Sequence, residues 1–253
     1  MRFVAVGSGS RGNATLIEAG GTRVLLDCGF SLREVEARLA TLDVDPTSLA
    51  AIVVTHEHGD HVAGVARLAM RYRLPVWTTP GTWRAAGCPS GVELRLFVAH
   101  GRGFRVGDLR MQPFPVPHDA REPCQFVIEG AGSRLGVLTD TGTVTTRIRE
   151  RLQGCDGLIL ETNHDIAMLH SGPYPPKLQA RVGGAFGHLS NIQAAELVDR
   201  LDHQRLKHLL LAHVSAHNNR PELARAAIRD VSADLAPRLS IASQEGGGEW
   251  LAL

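Results

Sequence analysis

Short apolar runs separated by turn residues open the chain. Residues 2–6, 15–19 and 22–27 each have strand length and strand composition, and Gly20-Gly21 between the last two marks a hairpin. The period then lengthens. Ser31 followed by Glu34 is a capping-box signature, which predicts an amphipathic helix to about Leu42. Residues 51–55 form a continuous apolar run, as a strand buried on both faces requires. That run ends at a histidine cluster, and a helix from about His61 to Tyr72 is predicted after it.

Beyond Pro75 short strands and helices alternate. Residues 94–139 read as strand-rich, with turns at Gly107-Asp108 and at 130–133. Helices are predicted over about 144–152, 177–182 and 192–201, with strands at 157–160 and 206–212. Pro221 opens a helix to about Asp230, and a last strand pair is expected over 239–252 around the glycines at 246–248. No repeat, low-complexity stretch or linker interrupts the chain. Two successive sets of strands and helices without a composition break predict an α/β fold. Its expected form is an αββα sandwich of two mixed sheets flanked by helices, one domain over residues 1–253.

Composition narrows the class only a little. A hydrophobic fraction of 43% and a charged fraction of 21% are those of an ordinary globular enzyme. Formal net charge is +1, so any basic surface for a phosphate-bearing substrate must be local. Cys28, Cys88, Cys124 and Cys155 lie far apart and make no CxxC pair, which excludes a disulfide scaffold and a thiolate metal cluster. The N-terminal apolar run is too short for a signal peptide, and no stretch approaches the roughly 18 apolar residues of a membrane span. A cytoplasmic protein that does not engage membranes is expected. No protein partner can be read from the sequence.

The twelve histidines matter by placement. His56-x-His58-x-Asp60-His61 follows a buried strand directly, and a turn leaving a strand end can direct several side chains into one cleft. Three imidazoles and a carboxylate are a natural donor set for borderline divalent metals. Three further apolar strands stop at single ligand-type residues: His118 after Pro115-Val116-Pro117, Asp140 after Leu138-Thr139, and His213 after Leu211-Ala212. Each alone is weak, because a strand-end Asp is often a turn or a cap. Together they repeat one logic. His100, His170, His203 and His208 lack such context and read as surface or packing residues, while His217 stays open.

The order HxHxDH, His, Asp, His resembles the metallo-β-lactamase superfamily. By that resemblance His56, His58 and His118 hold one metal, Asp60, His61 and His213 a second, and Asp140 bridges them. Asp27 matches a residue that braces the ligand loop. Resemblance to the YycJ/WalJ branch, linked in bacteria with 5′-to-3′ exonuclease activity, rests on several segments. They are Ser8-Gly9-Ser10-x-Gly12-Asn13, Pro117-His118-Asp119-Ala120, Glu161-Thr162-Asn163-His164-Asp165, Gly187-His188-Leu189-Ser190-Asn191 and His213-Val214-Ser215-x-His217-Asn218-Asn219. Glu161 after a strand and His188 before a helix resemble a pair that the phosphodiesterase members, RNase Z among them, place near the leaving group. There His188 would protonate a departing oxygen and Glu161 would orient it; the other reading of His188 is a helix cap.

The resemblance implies a two-metal phosphodiesterase, a nuclease acting on DNA from 5′ ends. Two divalent ions per chain, Zn²⁺ first and Mn²⁺ or Fe²⁺ also compatible, would activate a bridging hydroxide, with Asp60 beside it. Candidate substrate contacts are Ser10, Asn13, His164, Ser190, Ser215 and Asn218, with Arg147, Arg149, Arg151, Lys177 and Arg181 as phosphate contacts. The loop 8–13 suits an anion-binding nest or a plain tight turn. The alternative is a small ester or thioester hydrolase of the glyoxalase or lactonase type, which shares the metal ligands but not the Glu161/His188 pair. Only 73 positions separate Asp140 from His213, too few for the inserted domain of the β-CASP nucleases. No Gly- or Lys-rich arm for tRNA is present either.

Overall fold

The structure is a computed structural model describing residues 1–253. Two seven-stranded sheets face each other. The first runs β14 (Leu251–Ala252), β1 (Arg2–Gly7), β2 (Ala14–Ala19), β3 (Thr22–Leu26), β4 (Ala51–Val53), β5 (Val76–Thr78) and β6 (Leu94–Leu96). The second runs β13 (Leu239–Ile241), β12 (His208–Ala212), β11 (Gly157–Glu161), β10 (Ser133–Leu138), β9 (Cys124–Gly130), β8 (Leu109–Pro115) and β7 (Phe104–Val106). Both are mixed: β3 to β6 pair in parallel and β1 to β3 antiparallel. In the second sheet β10 to β13 are parallel and β7 to β10 antiparallel.

Period-two alternation sorts each strand's side chains between two layers. Phe3 and Ala5 of β1 enter the layer between the sheets, with Val53, Met111, Phe126, Val137, Ile159 and Leu210. Val4 and Val6 turn outward, onto Val35 and Leu39 of α1 (Leu32–Thr41) and Leu68 of α3 (Val65–Tyr72). On the far side Leu158, Leu160, Leu209 and Leu211 meet Ile148 of α5 (Thr146–Leu152), Ala194 and Val198 of α8 (Asn191–Asp199), and Ile228 of α9 (Pro221–Val231). Each Val, Leu, Ile, Phe or Met side chain taken fully out of water contributes about 1.5–3 kcal/mol. The αββα sandwich is therefore the arrangement that buries both faces of both sheets. No helix is long and apolar enough to cross a membrane.

Two local expectations are corrected. The helix expected over 61–72 is broken into α2 (Gly59–Val62) and α3. Gly64 sits at the break, its N–H donates to Cys28 O at 2.8 Å, and a Cβ there would lie 2.0 Å from Phe30 O. A crossing backbone, not propensity, ends the first turn. The final two strands do not pair with each other: β13 joins β12 in one sheet and β14 joins β1 in the other. The glycines between them carry the chain from one sheet to the next. The short helices α4 (Pro80–Ala85) and α6 (Ile166–Ser171) had no clear period, although Thr79 and Asp165 cap them.

Candidate metal centre

The strands β4, β8, β10, β11 and β12 deliver His56 to His61, His118, Asp140, Glu161 and His213 to one cleft. Three strand-end residues there lie in the left-handed region: Asp27 (φ 60°), Asp140 (φ 53°) and His213 (φ 53°). A non-glycine residue held so costs of order 1–3 kcal/mol, and Asp and His tolerate it better than most.

His56 Nε2 lies 3.1 Å from His58 Nδ1, and His118 Nε2 lies 3.2 Å from the same atom. Nitrogen ligands at about 2.0–2.1 Å around a tetrahedral ion stand roughly 3.3 Å apart, so this spacing suits a shared metal. Asp60, His61 and His213 form a second group, and Asp140 clusters with His56 and His61, reaching toward both. His61 Nε2 is 3.3 Å from Asp140 Oδ2 and 3.6 Å from Asp60 Oδ2, while His213 Nε2 is 3.5 Å from Asp60 Oδ2. Asp140 Oδ2 and His213 Nε2 are buried without hydrogen-bond partners. Buried polar atoms left so are costly, and a divalent cation is the partner that this donor set fits.

The carboxylates and imidazoles of the cluster shift one another strongly. Burial would raise the Asp140 carboxyl, but His213 and His61 outweigh it and hold it well below the usual range. Burial disfavours charge on His213, yet Asp140, Asp60 and Glu161 push its imidazole up to about 10. Burial, aided by His61, drives His56 well down, leaving that ring neutral and able to ligate.

The outward ring nitrogens of His118 and His61 are tied to acceptors that fix the other nitrogen on the cluster. His118 Nδ1 donates to Gly187 O at 3.0 Å, and His61 Nδ1 contacts Asp27 Oδ2 at 2.8 Å. Asp27 also accepts from Thr55 N and Thr55 Oγ1, both at 2.8 Å, so the brace reaches the root of the histidine loop. Asn163 and Ser8 had no assigned part in this. Asn163 Nδ2 donates to His213 O at 3.0 Å, and His213 N donates to Ser8 Oγ at 2.8 Å. Their only sequence signal was membership of the YycJ/WalJ-like segments.

Glu161 is fully buried and accepts from Thr141 N at 3.2 Å and Leu189 N at 3.1 Å. Its Oε1 meets His188 Nδ1 at 2.7 Å and His213 Nδ1 at 3.0 Å. Burial raises this carboxyl, but His188 and His213 overcome it and hold it at about 2. His188 Nε2 is thereby left for the cleft. Ser190 already caps α8, with its side chain accepting from Gln193 N, so capping does not require His188.

The cleft, of about 370 Å³, is lined by Ser10, His58, Asp60, Asp140, His188 and His213, with Arg181 as its one Arg or Lys. Other candidate contacts sit elsewhere. Asn13 Nδ2 donates to Asp60 Oδ2 at 3.2 Å and so steadies that carboxylate. His164 and Ser190 line a separate pocket of about 320 Å³, where burial brings the His164 imidazole down to about 4. Ser215 Oγ accepts from Asn218 N at 3.1 Å and lines the largest concavity, about 650 Å³, which holds none of the candidate ligands. Asn218 is fully buried. Of the proposed phosphate contacts only Arg181 reaches the cleft.

The histidine loop is clamped from below: Asn13 N donates to Asp60 O at 2.7 Å, and a Cβ on Gly29 would lie 1.8 Å from that oxygen. Gly29→Ala should therefore lower thermal stability by about 1–3 kcal/mol and weaken metal binding, read by melting and by metal titration. An unchanged melting curve and affinity would show the loop to be freely movable.

The family described as beta-lactamase superfamily domain matches residues 22–214, and the chain belongs to that superfamily in its metallo-β-lactamase form. Among curated proteins it is 33% identical to exodeoxyribonuclease YycJ of Bacillus anthracis, over 91% of this chain and 89% of that one. It is 34% identical to exodeoxyribonuclease WalJ of Streptococcus pneumoniae serotype 2 (strain D39), covering 88% and 85%. The metallo-β-lactamase fold protein YhfI of Bacillus subtilis shares the fold at 17% identity, with a TM-score of 0.77 over 99% of this chain and 98% of that one.

Proposed function

We propose that residues 1–253 form one cytoplasmic hydrolase domain, a two-metal nuclease degrading DNA from 5′ ends. The observation that carries this reading is the Glu161–His188 pair, 2.7 Å apart, set beside the His and Asp clusters in an open cleft. The likeness to YycJ and WalJ supports DNA as the substrate.

Bound by His56, His58, His118, Asp60, His61, His213 and Asp140, two divalent ions, Zn²⁺ by donor type, would supply Lewis acidity toward a phosphodiester and toward water. Asp60, whose side chain keeps some exposure to the cleft, orients the attacking water. Glu161 keeps His188 Nδ1 engaged, so the proton that neutralises the departing oxygen comes from Nε2. A thioester, whose thiolate departs readily, has no use for such a donor, and the likeness to YycJ and WalJ weighs against small esters and lactones.

The test is a time course of metal-replete protein on single- and double-stranded DNA and RNA labelled at either end, beside S-lactoylglutathione and a chromogenic lactam. Release of nucleotides from 5′ ends of DNA is expected, stopped by chelation and weakened as salt rises. Rapid turnover of a small substrate with no nucleotide release from any end would overturn the reading.

A further inference from the structure

We propose that Phe186 is a stacking platform for an unpaired nucleobase next to the scissile phosphate, an inference that rests on the nuclease reading. Phe186 is 62% exposed, the only aromatic among the eight exposed large apolar side chains. Phe3, Phe30, Phe97, Phe114 and Phe126 are all buried. A lone exposed apolar residue is ordinary. Its position is what distinguishes this one, two residues before His188.

The segment carrying the ring is held by the loops that build the centre. Asp119 N donates to Phe186 O at 3.0 Å, Thr143 Oγ1 to Ala185 O at 2.9 Å, and His188 N to Val182 O at 2.8 Å. The neighbouring Gly187 O receives His118 Nδ1. Close packing needs two glycines: a Cβ on Gly142 would lie 2.3 Å from Gly184 O, and one on Gly187 would lie 2.2 Å from Arg181 O. The backbone is thus fixed before any ligand arrives, and Phe186, its ring open to solvent, adjoins Gly187 and His188 of the cleft lining. Pre-ordering of this kind lowers the entropy lost on binding.

Arg181 supplies the matching charge. Its Nε bonds Asp119 Oδ2 at 2.5 Å, its side chain is exposed, and neither terminal amino group is engaged. An aromatic face together with a guanidinium that keeps both terminal amino groups for a phosphate is the combination that grips a nucleotide by base and phosphate. Bases inside a duplex already stack on one another, so the face is offered to single strands and frayed ends.

Phe186→Ala should raise KM for single-stranded DNA about five- to 150-fold, the range of one base–aromatic stack, with kcat nearly unchanged. Phe186→Trp should retain wild-type KM, and Phe186→Leu, apolar without a π-face, should behave as the alanine variant. On an oligonucleotide whose terminal nucleotides are abasic, wild type and Phe186→Ala should become equal. Equal losses on normal and abasic strands, or full activity of Phe186→Leu, would overturn stacking while leaving the nuclease reading intact. So would unchanged KM together with an altered oligomeric state in sedimentation, which would make Phe186 an association residue. If wild type releases no nucleotide from any strand, the nuclease reading itself falls.

Discussion

Asp140→Asn is expected to strip metal and abolish hydrolysis together. Asp140 is 2% exposed, and its carboxylate clusters with His56 and His61, one from each proposed ligand group. Its backbone is left-handed, a conformation that asparagine also accepts, so the substitution removes charge without refolding the turn. An outer brace such as Asp27 sets the scale: Asp27→Asn should weaken metal binding about 10–100-fold. Loss at Asp140 should exceed that. Elemental analysis after dialysis should find two ions per parent chain and fewer in the variant, with the same circular dichroism. A variant that keeps both ions and full turnover would end the proposal that Asp140 bridges.

His188→Ala should separate chemistry from metal binding, keeping both ions while turnover of DNA falls roughly 10²–10⁴-fold, the usual size of general acid catalysis. Glu161 would not be stranded by the change, because His213, Thr141 N and Leu189 N remain on it. A phosphodiester with a nitrophenolate leaving group needs no proton at departure, so its hydrolysis should suffer far less. Equal losses on both substrates would place His188 in binding, and no loss on DNA would remove it from the reaction.

The layered fold was legible because the apolar runs at 2–6, 51–55 and 206–212 are direct records of strands covered on both faces. The donor set was legible because every candidate ligand stands where an apolar strand stops. Long-range facts were not. The break at Gly64 comes from the Phe30 carbonyl crossing it, and the parting of β13 from β14 comes from pairing with strands far away in sequence. Polar residues of the YycJ/WalJ-like segments were hard to divide, since Asn13, Ser190 and Ser215 form local hydrogen bonds that look the same in sequence as substrate contacts. Phe186 carries no periodic signal at all.

The proposed ligands are not drawn from one sheet: His56, His58, Asp60 and His61 follow β4, whereas His118, Asp140 and His213 follow strands of the other. Ions seated between them would act as a clasp across the seam of the sandwich. Holding power would then depend on supply, since a ligand bound only by the folded chain adds about 1.4 kcal/mol for each tenfold rise in its free concentration above Kd. Metal scarcity would loosen the two halves from one another as well as silence the site, linking the protein's lifetime to the same resource as its chemistry.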